Sequence, residues 1–535
     1  MSSRGSILRN TAVVAALTSL SRVLGLVREM FQSRLVGAGV EQSAFAVAFA
    51  IPNMARRMFG EGALTAAFVP VFKGELEADA TLARAQRLAR AVMTMSLLML
   101  AAAVLLVWTL VSGALWWNGA RDVLSLKWTL TLRDVRILIP YMIFICGGAF
   151  GMGVLNSFGR FAAAALMPSI LNVVWVAALA ALFFVPGLEV QTRVTAVCGA
   201  ILFAGFLQMA FMLRAMAKKG ISPLPTFKGW RDANVRLVWR NMAIGCAGAG
   251  AVQINYMLDQ VLALKASDWA AGAIGYADRL MELPLGIVGT AFGTVLLPTF
   301  AGFFAKDDVE GARAAFLSST RSMLLIVLPA AVGLVLLAPE LTRLVYHGGR
   351  FDALAVTRVS RAVACYSLGL AFFCLQKTLT PWFHAQKDLK TPLKVAVRMV
   401  FLNAALNVAA VFGLPVEWRH VGLAASTVLC AGISCAWLAV AARRRNGALG
   451  WRQLAAPVAR MLAACAAMAA ALVPLRRAVA GLAARGALGE TCAMGALVAV
   501  GALVYFGALA VIGRDELRAL KSLRKSSDHG ADWSA

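Results

Sequence analysis

Residues 11–35, TAVVAALTSLSRVLGLVREMFQSRL, decide the fold. The run is as long and nearly as apolar as a helix that crosses a bilayer, which needs about 20 residues, yet it carries Arg22 and Arg28. At 1.5 Å per residue Arg22 lies about 16 Å into such a helix, too deep for its guanidinium to reach the surface easily. Arg28 lies about 9 Å further on and roughly 120° round the helix, placed either to line the same cavity or to snorkel to the outer interface. An arginine near the centre of a span costs roughly 2.5–3.5 kcal/mol on insertion scales. The pattern recurs at Arg56, Arg57 and Arg279. Charges repeated at that cost imply an internal polar cavity, and a cationic cavity implies an anionic cargo.

Around this stretch the chain of 535 residues is 60% hydrophobic and only 15% charged, with a mean hydropathy of +0.75, outside the range of soluble globular proteins. The apolar runs predict an all-α integral membrane protein with fourteen transmembrane helices. These fall near 11–35, 44–71, 89–113, 134–157, 162–185, 194–216, 237–264, 270–302, 320–338, 357–384, 392–413, 420–442, 456–475 and 491–512. Val69-Pro70-Val71-Phe72 ends the second run and Leu297-Pro298-Thr299-Phe300 the eighth; Gly159-Arg160 before Pro168 is echoed by Lys387-Asp388 before Pro392. These echoes point to two pseudo-symmetric six-helix lobes. The expected organisation is an N-terminal lobe over 1–216, a basic linker over 217–236, a C-terminal lobe over 237–445, two further helices within 446–512 and a tail over 513–535.

The formal net charge of +26 does not signal nucleic acid, because the basic residues outside the helices gather at one end of hydrophobic segments rather than on a soluble face. Lys218, Lys219, Lys228, Arg231, Arg236 and Arg240 follow the sixth helix, and Arg443, Arg444, Arg445 and Arg452 follow the twelfth. Those loops and both termini are expected in the cytoplasm, with Trp116 and Trp117 in the outer interfacial belt. The nine cysteines lie in apolar stretches without C-x-x-C spacing and the four histidines are scattered, so the sequence offers no metal or redox motif. It offers no nucleophile elbow or P-loop either, and an enzyme is not expected. The first run contains Arg22 and lacks a small-residue cleavage site, which marks an uncleaved span rather than a signal peptide.

Three constellations stand out. In helix 2, Pro52-Asn53-Met54-Ala55-Arg56-Arg57 runs into Gly60-Glu61-Gly62, the composition of an interrupted helix beside a water-filled cavity. Arg57 and Glu61 are spaced to pair within the helix, while Arg56 has no acid at i+3 or i+4, so Arg56 is the better candidate for cargo. In helix 8, Asp278, Arg279 and Glu282 share one face, either as a self-neutralising network or as a holder for Arg279. Asp259, Asn403, Asn407 and Thr427 are oxygen-bearing residues in apolar sequence, suited to a hard cation or to hydrogen bonds between helices.

Through Ser21-Arg22-Val23-Leu24-Gly25, Gly37-Ala38-Gly39, Pro52-Asn53 to Arg56-Arg57, Glu61-Gly62-Ala63, Ala67-Phe68-Val69-Pro70, Ala277-Asp278-Arg279-Leu280-Met281-Glu282, Lys390-Thr391-Pro392 and His420-Val421-Gly422-Leu423, the chain resembles the MurJ/MviN family. These are lipid II flippases of bacterial peptidoglycan synthesis, within the multidrug/oligosaccharidyl-lipid/polysaccharide exporter superfamily. The resemblance covers essentially the whole chain. It implies a multi-pass protein of the bacterial inner membrane that moves lipid II outward by alternating access. It further implies that Arg22, Arg28, Arg56 and Arg279 bind the lipid-linked diphosphate, supported by Arg57, Glu61, Asp278 and Glu282. Asp259, Asn403, Asn407 and Thr427 would sit where some members bind sodium, the one ion expected besides the cargo. Helices 13 and 14 would form the groove for the polyprenyl tail. Membrane lipids are expected neighbours and cell-wall synthesis proteins further candidate partners. One departure is Ser43, at a position where an acid is common in the family, with Glu41 two residues earlier. A polysaccharide-lipid flippase, a cation-coupled drug antiporter and a membrane scaffold for cell-wall enzymes are the competing readings. A net basic cavity argues against the antiporter, and a scaffold needs no buried arginines.

Overall fold

The computed structural model describes residues 3–58, 64–79 and 81–516. All the named elements are helices, and they group into two compact units, residues 1–272 with 348–352 and residues 273–347 with 353–535.

The first unit holds α1 (Ser3–Val36), α2 (Val40–Ala55), α3 (Leu64–Ala78), α4 (Ala83–Arg121), α5 (Leu126–Leu138), α6 (Tyr141–Ser157), α7 (Phe161–Phe183), α8 (Val190–Ala217) and α9 (Ala233–Ala266). Its core runs through Phe68, Phe72, Leu138, Phe150, Val194 and Met212. Helix α1 lies along α7, α6 along α8, and α2 and α3 both pack on α9. Helix α9, expected by sequence to open the C-terminal lobe, thus packs here with N-terminal helices. At the α6–α8 crossing a β-carbon on Gly205 would overlap the Tyr141 ring, so only glycine lets the two helices meet there. The turn Gly348–Asp352 also belongs to this unit: the Arg350 N–H donates to the Arg34 carbonyl at 3.0 Å.

The second unit takes most of α10 (Ala270–Ala305), then α11 (Val309–Tyr346), α12 (Ala353–Leu368), α13 (Leu370–Ala385), α14 (Lys390–Gly413), α15 (Val416–Asn446), α16 (Trp451–Ala483) and α17 (Ala487–Ile512). Phe300, Phe316, Trp382 and Leu438 lie in one cluster of its core. Met461, Leu472, Leu497 and Tyr505 lie in another, where α16 and α17 pack on α11.

Among the described residues eight helices, α4, α7, α8, α11, α14, α15, α16 and α17, are long and apolar enough to cross a membrane. Two bent pairs raise that to ten: α5 with α6 at 43° and α12 with α13 at 41°. The bends have local causes. Pro140 precedes α6 and lacks the N–H that would continue the ladder, while Gly369 separates α12 from α13. The other four of the fourteen expected spans fall on α1, α2 with α3, α9 and α10, the charged or interrupted segments, so the count of fourteen is not established by length and apolarity. Leu105, Leu106 and Leu110 on α4 are each 60–64% exposed, a surface stable against lipid and not against water. Asp232 and Asp308 cap α9 and α11 by accepting from the N–H groups of Asn234 and Gly311 at 2.9 and 2.7 Å, satisfying donors that a helix start leaves open.

Candidate functional site

In the first unit α1 and α7 build the arginine site. Asn172, one of two polar side chains among the aliphatic and aromatic residues of α7, reaches α1 at two levels. Its Nδ2 donates to the Ser21 carbonyl at 2.9 Å and lies 3.3 Å from Ser21 Oγ, and its Oδ1 accepts from Arg28 Nη1 at 2.9 Å. The other end of the Arg28 guanidinium pairs with Glu29. One turn further along α7, Trp175 lies beneath the Arg28 guanidinium, 4.4 Å from carbon to ring centroid, close enough for a desolvated cation–π contact. The Trp175 indole N–H donates to Gln32 Oε1 at 3.3 Å, and Gln32 Nε2 donates to Gln42 Oε1 at 3.1 Å. Phe45 and Phe49 of α2 present ring edges to Trp175 at 5.6 and 5.3 Å.

The two arginines of α1 therefore differ. Arg28 is buried and held by an amide, a carboxylate and a ring, with only Nε lacking a partner among the described residues. Arg22, on another face of the same helix, is exposed. Sequence reasoning named both arginines but missed Asn172, Trp175, Gln32 and Gln42, although an amide isolated in an apolar helix was a readable signal.

Helix α2 ends at Ala55 and widens into a π-type turn over 56–58, a local irregularity frequent at functional sites. The interruption expected from Pro52 and the glycines is there, although Glu61 and its neighbours 59–63 lie outside the described residues. Arg56 donates Nε and Nη2 to Asn53 Oδ1 at 3.2 and 3.1 Å, an amide at i−3 rather than an acid at i+3 or i+4. Arg57 lies 5.6 Å above the Tyr256 ring of α9. On the same helix Asn255 Nδ2 approaches Asp259 Oδ2 at 3.4 Å.

In the second unit Arg279 Nη1 pairs with Glu282 Oε2 at 3.1 Å, both side chains more than two-fifths exposed, and Asp278 is half-buried beside it in sequence. Such a pair adds little to stability but fixes the guanidinium. Asn403 and Asn407 are buried one turn apart on α14, with Asn407 Nδ2 donating to Asn403 Oδ1 at 2.9 Å. Thr427 on α15 donates its hydroxyl to the Leu423 carbonyl at 3.2 Å, which leaves its lone pairs available. The donors are oxygens of the kind a hard cation takes, while Asp259 belongs to the first unit.

Ser43 is fully buried and its hydroxyl accepts from the Gly272 N–H at 3.1 Å. The neutral serine at this departure from the family pattern thus satisfies an N–H in the first turn of α10.

A family model described as "Lipid II flippase MurJ" matches residues 32–487. A lipid II flippase MurJ of Burkholderia cenocepacia is 34% identical over 412 residues, 75% of this chain and 78% of the relative. The chain belongs to the MurJ family. A probable member from Rhizobium tropici is 33% identical over 481 residues, covering 88% of this chain and 87% of its own. Among solved structures, a lipid II flippase MurJ in an inward closed conformation matches with a TM-score of 0.75 at 21% identity, over 95% of this chain and all of that one. An inward-facing multidrug transporter of the MATE family matches with a TM-score of 0.64 at 14% identity, over 82% and 98%. Both establish likeness of fold. With the apolar helices, MurJ membership makes this a multi-pass protein of the bacterial inner membrane, in a family of transporters rather than catalysts.

Proposed function

We propose that the chain carries lipid II from the inner to the outer leaflet of the cytoplasmic membrane by alternating access, with no covalent step. The observation that carries this reading is the retention of several guanidinium groups inside otherwise apolar helices of a MurJ family member. Arg22, Arg56 and Arg279 supply planar forks to the diphosphate. Arg28, whose charge is already met by Glu29, Asn172 and Trp175, shapes the field beside Arg22. Asn53 and Glu282 orient their arginines, and Arg57, Asp278 and Glu61 complete the charged set. The tail stays in lipid along α16 and α17. The basic loop after α8 and the three arginines in the last turn of α15 support a cytoplasmic side for both termini by the positive-inside rule.

Sodium is the proposed coupling ion, with Asn403, Asn407 and Thr427 as oxygen donors within the second unit and Asp259 a candidate carboxylate of the first; the ion would bias one conformation over another through its differential affinity. Cell-wall synthesis proteins are the further partners proposed, on the strength of the family's function. Depleting the protein and identifying the lipid-linked precursor that builds up on the inner leaflet tests the reading. Accumulated lipid II supports it. Accumulation of a different polyprenyl-diphosphate glycan would keep the arginine site and replace the cargo, and no accumulation would remove transport altogether.

A further inference from the structure

The segment 218–232 between α8 and α9 is held firmly yet presents apolar side chains outward. Gly220, at φ +80°, ends α8, and Ile221 is fully buried behind it. Arg90 of α4 donates Nε to the Leu224 carbonyl at 2.8 Å and Nη2 to the Pro225 carbonyl at 3.2 Å. The Thr226 N–H donates to Thr94 Oγ1 at 2.9 Å. With its backbone pinned to α4, the loop still leaves Leu224 64%, Phe227 68% and Trp230 41% exposed, the two rings 5.7 Å apart. A loop free to collapse would bury these side chains, and this one is tied down in the arrangement that shows them.

Lys218, Lys228 and Arg231 are exposed in the same loop. From Arg214 to Arg240 seven basic residues face one acid, Asp232, whose carboxylate already caps α9. Lys218 directly follows the last residue of α8, itself an apolar span, so the loop starts at the edge of the bilayer. Aromatic side chains interleaved with cations at that level match a phospholipid interface: rings settle among headgroups and glycerol, and cations meet phosphate.

We infer that loop 218–232 is an interfacial anchor for anionic phospholipid, with Leu224, Phe227 and Trp230 seated at headgroup depth and Lys218, Lys228 and Arg231 on lipid phosphates. The anchor is independent of the cargo the protein carries.

The test uses the purified full chain in neutral detergent, titrated with phosphatidylglycerol or phosphatidylcholine while its thermal midpoint is followed. Phosphatidylglycerol should raise the midpoint at lower lipid concentration. Each surface cation contributes roughly a fivefold gain in affinity, so K218Q/K228Q/R231Q should bind phosphatidylglycerol about a hundredfold more weakly. R443Q/R444Q, in the basic last turn of α15, should match wild type. Wild-type affinity in the triple variant overturns the inference. A second readout does not depend on stability: in bilayers of lipid brominated near the carbonyl, wild type should lose a quenched fluorescence component that Trp230→Phe lacks. Identical quenching in the two proteins would show Trp230 outside the interface, and capture of the loop by an acidic soluble protein without response to phosphatidylglycerol would assign the surface to that partner; either result overturns the anchor.

Discussion

Replacing Asn172 by alanine should loosen α1 from α7 and release Arg28 from its fixed orientation. The side chain is 6% exposed and makes two strong contacts, to the charged Arg28 Nη1 and to the Ser21 carbonyl, each at 2.9 Å. A hydrogen bond to a charged group is worth roughly 1.5–3 kcal/mol and one between neutral groups about 1 kcal/mol. Alanine therefore costs about 2.5–4 kcal/mol, a large share of the roughly 5–15 kcal/mol that holds a typical fold. The Arg28 Nε already lacks a partner among the described residues, so no neighbouring amide stands ready to compensate. Asn172→Asp keeps the acceptor and sets a carboxylate against the guanidinium but loses the donors to Ser21, so it should fall between wild type and alanine. Thermal unfolding of the three purified proteins in one detergent measures the order directly, and complementation at matched membrane levels reads the effect on Arg28. If Asn172→Ala melts with wild type, or Asn172→Asp melts below the alanine variant, the reasoning from these hydrogen bonds is wrong.

Arg22→Ala, Arg56→Ala and Arg279→Ala should each abolish complementation and the lysine variants impair it, because an ammonium cannot hold a diphosphate bidentately; full function of all three alanine variants at normal levels would remove the site. Asp259→Ala should abolish any sodium-dependent change in conformation or transport, and a wild type indifferent to sodium would reduce Asp259 to a structural residue. Gly205→Ala should cost about 1–3 kcal/mol through overpacking against Tyr141, read as a lowered melting temperature; an unchanged one would show that α6 and α8 can separate freely. The carboxyl of Asp388 is held below the ordinary aspartate range by the Thr391 backbone N–H, with its hydroxyl and Arg445 assisting. A depressed carboxylate stabilises the fold above its unfolded value near 3.9 and loses that contribution as pH falls through the lower folded value. Asp388→Asn should therefore flatten the acid limb of the stability profile, and an acid limb identical to wild type would show these Asp388 contacts to be inconsequential.

Hydropathy located the membrane-embedded parts of the helices because the bilayer selects for apolar side chains all round a span. It undercounted their length. Helix α11 runs Val309–Tyr346 where the apolar window covered 320–338, and α5 begins at Leu126, eight residues before the predicted span, because Lys127 and Arg133 lower the apolarity of its first turns. Pro140 lay inside the predicted span, and with most of its N-terminal arm outside that span the bend was not read. The π-type turn at Arg56 was legible, as proline, asparagine and paired arginines in an apolar run already conflict with a regular helix. The Arg28 network was not, because α1 and α7 are far apart in sequence and no local spacing announces that Asn172 meets Ser21 and Arg28 together.

That long-range contact changes the meaning of the two arginines on α1. Their separation of six residues turns Arg22 and Arg28 roughly 120° apart on an ideal helix, so one partner helix cannot cover both. Helix α7 covers Arg28, supplying Asn172 and Trp175 while Glu29 meets the charge. The desolvation of that guanidinium is offset within the protein whether or not cargo is present. Arg22 receives no such cover and stays exposed. In the function proposed above the two arginines divide the work: Arg28 is balanced permanently and keeps α1 registered on α7, while Arg22 gains its counter-charge from the anionic cargo, so that binding, rather than folding, neutralises it.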